Sequence, residues 1–172
     1  AFIYGKDPAE LGQRKYIGIK FSRARYVKAG YLYSLVNVGT FLKDVATEQG
    51  VFSTENNYFT PLHSLGRGWY ARHFLNLKFA WGFNRFQNEY FNISGNEGIP
   101  GIYSDELRGT RKLVLGVETV FFSPVNVLGF RIAPFVFANV GWTTFDGQKL
   151  FSHTPYQGYG VGFRFRNENL TF

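Results

Sequence analysis

The side chains able to do chemistry in this chain are few, and their spacing keeps them apart. Three histidines, His63, His73 and His153, fall by pattern in a turn, a strand and an outer loop, with no two at metal-ligand spacing. His63 and Ser64 are adjacent, but a hydrolytic pair needs side chains that converge in space and a third group to orient the base. Asp105 and Glu106 form an acid pair whose ordinary home is a solvated loop. Gly158, Gly160 and Gly162 alternate instead of following nucleotide-loop spacing, and no helix follows them. The absence of cysteine removes disulfides, thiolate metal sites and cysteine nucleophiles. No catalytic residue, metal site or cofactor is therefore expected, and the chain is not expected to be an enzyme. What remains is charge carried at alternate positions: Arg72 and Lys78, Glu118, Arg131, Arg164 and Arg166.

Those charges must be positioned by strands. From Tyr159 to Arg166 one face reads Tyr159, Val161, Phe163, Phe165 and the other Gly160, Gly162, Arg164, Arg166. A period of two marks a strand with two differently solvated faces. Strands are expected at about 14–27, 30–43, 50–62, 69–86, 111–123, 128–142 and 158–166, with a further piece opening at Leu170. Several exceed ten residues, the length a tilted membrane strand needs, about 9–11 residues. Pro134 removes a ladder donor in the middle of its strand, so a bulge or local break is expected there.

The solvent of each face follows from energetics. In strand 69–86, Ala71, Leu75, Leu77, Phe79, Trp81 and Phe83 oppose Arg72, Asn76, Lys78, Gly82 and Asn84, with His73 on the apolar side near the strand's start. Turning the second set toward lipid would cost roughly 2–4 kcal/mol for each Arg or Lys near the midplane. The apolar face is therefore expected to meet hydrocarbon and the polar face a lumen. The chain carries 20 Phe and 11 Tyr. No apolar run reaches the roughly 18–20 residues of a membrane helix. Its net charge is +7, from 19 Lys and Arg against 12 Asp and Glu. A nucleic-acid platform would put cations and aromatics on one face, whereas here they oppose each other, so no nucleic-acid partner is expected.

The connections read short at Lys28-Ala29, longer over Asp44 to Gln49, short over His63 to Gly68, and long over Gln87 to Thr110. They continue short over Pro124 to Val127, long over Thr143 to Gln157, and short over Asn167 to Asn169. Alternating short turns and long loops predict a transmembrane antiparallel up-and-down β-barrel. Residues 1–172 read as a single barrel segment of about seven to eight strands. With neither Met nor a signal peptide, the sequence is expected to be part of a longer or processed protein. The short piece at Leu170-Thr171-Phe172 suggests that a last strand is missing.

From Gly98 to Trp142 the chain resembles the C-terminal barrel of the BamA/TamA superfamily of outer-membrane assembly and secretion proteins. Gly98-Ile99-Pro100-Gly101-Ile102 stands where that family has its lumen-folded loop motif, inside a 24-residue loop. Ser104 to Arg111 is similar to the stretch leading into the next strand. Leu115-Gly116-Val117-Glu118 is similar to the family's strand with an inward acid. Phe135 to Gly141 is similar to its Phe-x-Asp-x-Gly strand, and Trp81 to Phe86 precedes the loop as in several members. The resemblance implies the C-terminal half of a 16-stranded barrel, within the range of about 8 to 26 strands such barrels span. The first strands and the periplasmic domains would then be absent.

It further implies insertion or translocation of other proteins at the bacterial outer membrane. The implied partners are outer-membrane lipid, lipopolysaccharide, client outer-membrane or secreted proteins, and accessory subunits. The family's loop arginine is Pro100 here, and its wall aspartate is Asn139. Losing both members of a buried ion pair together is coherent, since removing one costs about 3–5 kcal/mol. Glu118 keeps the inward acid, and Arg108, Arg111 or Arg131 is the expected substitute cation. An ordinary surface turn is the alternative for Pro100-Gly101. The alternatives for the whole are a passive porin or adhesion barrel, the barrel domain of a secreted patatin-like hydrolase, and a soluble β-sandwich.

Overall fold

A computed structural model describes residues 1–7, 13–44, 46–95 and 98–167. Twelve strands form: β1 Phe2–Asp7, β2 Arg14–Val27, β3 Gly30–Lys43, β4 Ala46–Phe59, β5 His63–Gly66, β6 Trp69–Phe83, β7 Phe91–Asn92, β8 Arg108–Gly109, β9 Arg111–Phe122, β10 Asn126–Val127, β11 Phe130–Thr144 and β12 Tyr156–Asn167. One antiparallel up-and-down sheet runs β1-β2-β3-β4-β6-β9-β11-β12. β7 and β8 pair separately inside the long loop between β6 and β9.

The strands expected at 14–27 and 30–43 are as read, whereas the others shift at their ends. β1 was not expected, because six residues carry too little alternation to stand out. The stretch 168–172, including the piece at Leu170, lies outside the described residues.

Three expected connections, 44–49, 63–68 and 124–127, are corrected. Lys43 pairs with Ala46, and Asp44 takes a left-handed φ of 53°, so the segment expected to loop over 44–49 is a tight turn followed by strand. Strict alternation of short and long connections therefore fails at this point. The long connections, 84–110 and 145–155, still lie at one end of the sheet.

At the other end, His63–Gly66 is strand rather than turn, and the hairpin is made by Arg67 and Gly68, both at positive φ. Leu128 and Gly129 do the same between β10 and β11. Two successive positive-φ residues match the right-handed twist of flanking strands.

Prolines explain the interruptions. β4 and β5 lie on the same side of β6, with Pro61 between them, and β9 and β10 lie on the same side of β11, with Pro124 between them. The break expected at Pro134 occurs on one side only. The β9 ladder stops at Phe135, while pairing with β12 continues through Pro134↔Phe163. Ser123 Oγ donates to the Ile132 carbonyl at 2.6 Å, giving that oxygen a partner beside the gap.

The sheet does not close. Among the described residues β1 pairs only with β2 and β12 only with β11, which leaves both outer edges free. The apolar face is bare as well: Tyr159, Val161, Phe163 and Phe165 are 84%, 75%, 65% and 65% exposed, and Leu75, Trp81, Val117 and Val136 are exposed too. No described part of the chain packs over them. The buried cluster sits instead on the opposite, polar face, where Ile93, Ile99 and Leu107 of the long loop meet Val114 of β9, with Ile102 against them.

Candidate functional site

The long loop is shaped by its own hydrogen bonds before it touches the sheet. Ile93 N donates to Leu107 O at 3.0 Å, Gly95 N to Ile102 O at 2.8 Å, and Ile99 N to Ile93 O at 2.8 Å. Asn92 braces the base, its Nδ2 donating to Ser104 O at 3.1 Å and its Oδ1 accepting from Ser94 N at 2.6 Å. Gly98 must be glycine, because a Cβ there would lie 1.9 Å from the Ile93 carbonyl oxygen. Pro100 and Gly101 make the turn at the tip, with Gly101 at φ 86°. Both turn residues are exposed, while the preceding Ile99 is buried against the sheet.

Ile99 anchors that tip. It is fully buried, and its side chain fills a notch left by two glycines of the wall. A Cβ on Gly158 would come within 2.6 Å of Ile99 Cγ2, and one on Gly141 within 3.1 Å of its Cδ1. The five residues Gly98 to Ile102 are thus brought to the polar face of the sheet. The seat of the tip is apolar, and at the loop's base Lys112 Nζ of β9 donates to the Asn92 carbonyl at 3.3 Å.

Glu118 and Asn139 on the sheet line a cavity of about 620 Å³ together with Gly98 and Pro100 of the loop. Register aligns Asn57, Asn76, Gly116, Asn139 and Gly158 across five strands, and Phe59, Phe74, Glu118, Phe137 and Gly160 in the neighbouring row. Asn76 donates to Asn57, whose own Nδ2 donates to Glu55 Oε1 at 2.9 Å.

The substitute cation is corrected. Glu118 is held by Arg164, whose Nη1 and Nη2 donate to its two oxygens at 2.7 and 2.9 Å. None of the three expected arginines does this. Arg108 stacks over Tyr90 in the loop, 4.7 Å from its centroid. Arg111 points away, pairing with Asp146 at 3.0 Å and lying 5.6 Å from the Trp81 ring. Arg131 shares the inward phase but sits beside Asn126, at the short-turn end. Arg164 was visible as an inward cation of its strand. Only the register, which sets β12 beside β11, and the guanidinium's path over Phe135 at 4.6 Å bring it to Glu118.

Ile93, Leu107 and Val114, the other members of the seat, also escaped sequence reasoning. Val114 is an apolar residue in the inward phase of β9, and that exception to the alternation was the available signal.

The histidines come closer than their spacing suggested. The His63 and His73 rings lie 6.0 Å apart, and His73 Nδ1 is 2.9 Å from Thr119 Oγ1. Among the described residues no group of three or more His, Asp or Glu side chains gathers as metal ligands. The chain matches no family model, no curated protein and no solved structure.

Proposed function

We propose that this chain is a segment of a bacterial outer-membrane β-barrel of BamA/TamA type, acting in insertion or translocation of other proteins. The single observation that carries the reading is the uncovered apolar face of eight antiparallel strands, seven of them 12–15 residues long. In lipid that face gains burial, and the polar face with its seated loop becomes a lumen wall. A soluble sandwich would have to cover the same face with a second layer.

The type of barrel is supported by the loop. A long connection folded onto the inward wall, its Gly98–Ile102 tip against β11 and β12, is the arrangement the resemblance implied. The free edges of β1 and β12 would offer backbone groups to an incoming strand of a client protein, the recognition mode known as strand addition. Outer-membrane lipid and lipopolysaccharide would surround the barrel, and the 16-stranded closure would be completed by strands outside this sequence.

A second reading, a passive porin-type barrel, is favoured by one specific observation. The loop tip is seated by the apolar cluster around Ile99, a fixed plug in the manner of a constriction. Reconstitution into phosphatidylcholine vesicles separates the two. Faster folding of a urea-unfolded small barrel client supports insertion activity, whereas steady ion conductance without that acceleration supports the porin. A chain that stays monodisperse in buffer without detergent would overturn both.

A further inference from the structure

The cavity beneath the loop tip has a floor built for a flat ligand. The Phe137 ring lies against the wall over Gly160, where a Cβ would come within 2.8 Å of ring atoms, and the Phe135 ring lies likewise over Gly162. The two rings are 6.3 Å apart and inclined by only 28°, and of the two only Phe135 is capped by a cation. Arg164 covers Phe135 and forks onto Glu118, while Phe137, Phe74 and Phe59 line the cavity itself.

The polar groups lie in a parallel row. Asn139, like Asn76 and Asn57, stands two residues along its strand from the aromatic row, a spacing of about 6.7 Å. The Asn139 carboxamide lines the cavity and makes no hydrogen bond with any described residue; its Oδ1 lies over Gly116, where a Cβ would come within 2.5 Å. Glu118 and Arg164 neutralise each other and retain unused lone pairs and N–H groups at the cavity's edge.

We propose that this cavity binds a neutral oligosaccharide, with one ring lying on Phe137 and its hydroxyls bonded by Asn139 and the Glu118–Arg164 fork. Three features select that class. An aromatic floor takes the apolar C–H face of a sugar, and the amide row takes its rim of hydroxyls. A lipid tail would leave the amide and the fork unpaired. An extended peptide would look for free backbone groups, but β4, β6, β9 and β11 each spend theirs on two neighbouring strands. The site does not depend on what covers the outward face, so it stands or falls apart from the membrane reading.

The test uses the full chain, folded in detergent micelles, titrated calorimetrically with maltotriose, cellotriose and chitotriose. At least one should bind saturably. Asn139→Leu and Phe137→Leu should each weaken it by about tenfold, whereas Phe137→Tyr, which keeps the stacking face, should stay within about twofold. The outward variant Val136→Ala should bind as the parent does, and the strand signal in circular dichroism identifies any variant that misfolds. The proposal is overturned if none of the three sugars binds, if Phe137→Leu and Asn139→Leu bind like the parent, or if a neutral tripeptide binds more tightly than every sugar.

Discussion

At the residue scale, Ile99 and Glu118 have exchanged the roles that charge alone would assign them. The acid is bound to its own wall through Arg164, with side chains 25% and 51% exposed, and pairs so open to solvent contribute about 1 kcal/mol or less. Ile99 is fully enclosed by Ile93, Leu107, Val114 and the glycine notch. Truncating an enclosed isoleucine costs about 2–5 kcal/mol, depending on how far the site collapses. Ile99→Ala should therefore raise proteolytic cleavage within residues 84–110 by well over tenfold, while Glu118→Ala should leave cleavage there nearly unchanged. Limited proteolysis of the two variants side by side checks this. Faster loop cleavage in Glu118→Ala than in Ile99→Ala would mean that the acid, not the isoleucine, holds the loop.

At the element scale, the hairpins show where local preference and required conformation disagree. Leu128 is 95% exposed at the β10–β11 hairpin and holds a φ of 53°, which a γ-branched side chain adopts at a cost of about 1–2 kcal/mol. Asparagine tolerates that region far better. Leu128→Asn should raise stability by roughly 0.5–1 kcal/mol, read as a higher urea midpoint with unchanged slope. A lower midpoint would show that Leu128 makes a contact that outweighs its backbone strain. The neighbouring turn at Arg67-Gly68 has the same pair of positive φ values, so the two hairpins solve one geometric problem with different first residues.

At the scale of the whole molecule, the sheet is inside out relative to a soluble domain. Its buried cluster gathers on the polar face under a loop, while the broad aromatic face is left bare. In the membrane reading, Val136 stands on the outward face between Thr119 and Val161. Val136→Arg should then lower stability in phosphatidylcholine vesicles by about 2–4 kcal/mol relative to Val136→Leu if this position lies near the midplane. Equal vesicle stability of the two variants would place the face away from hydrocarbon.

Strand identity and the phase of each face were legible in the residues, because a period of two is set locally by the pleat. Ile17, Ile19 and Phe21 against Gly18, Lys20 and Ser22 needed no partner strand to be read. The inward placement of Glu118, Asn139 and Arg164 was legible in the same way, and so was trouble at Pro134. Which inward groups meet was decided only by the tertiary structure. Arg164 reaches Glu118 across 46 residues of sequence, and Ile99 finds a notch made by two glycines on different strands. Register and loop closure are non-local: a shift by two residues keeps every side chain on its face yet gives each a new neighbour. The alternation pattern is blind to that shift, and packing of the loop against the wall is not.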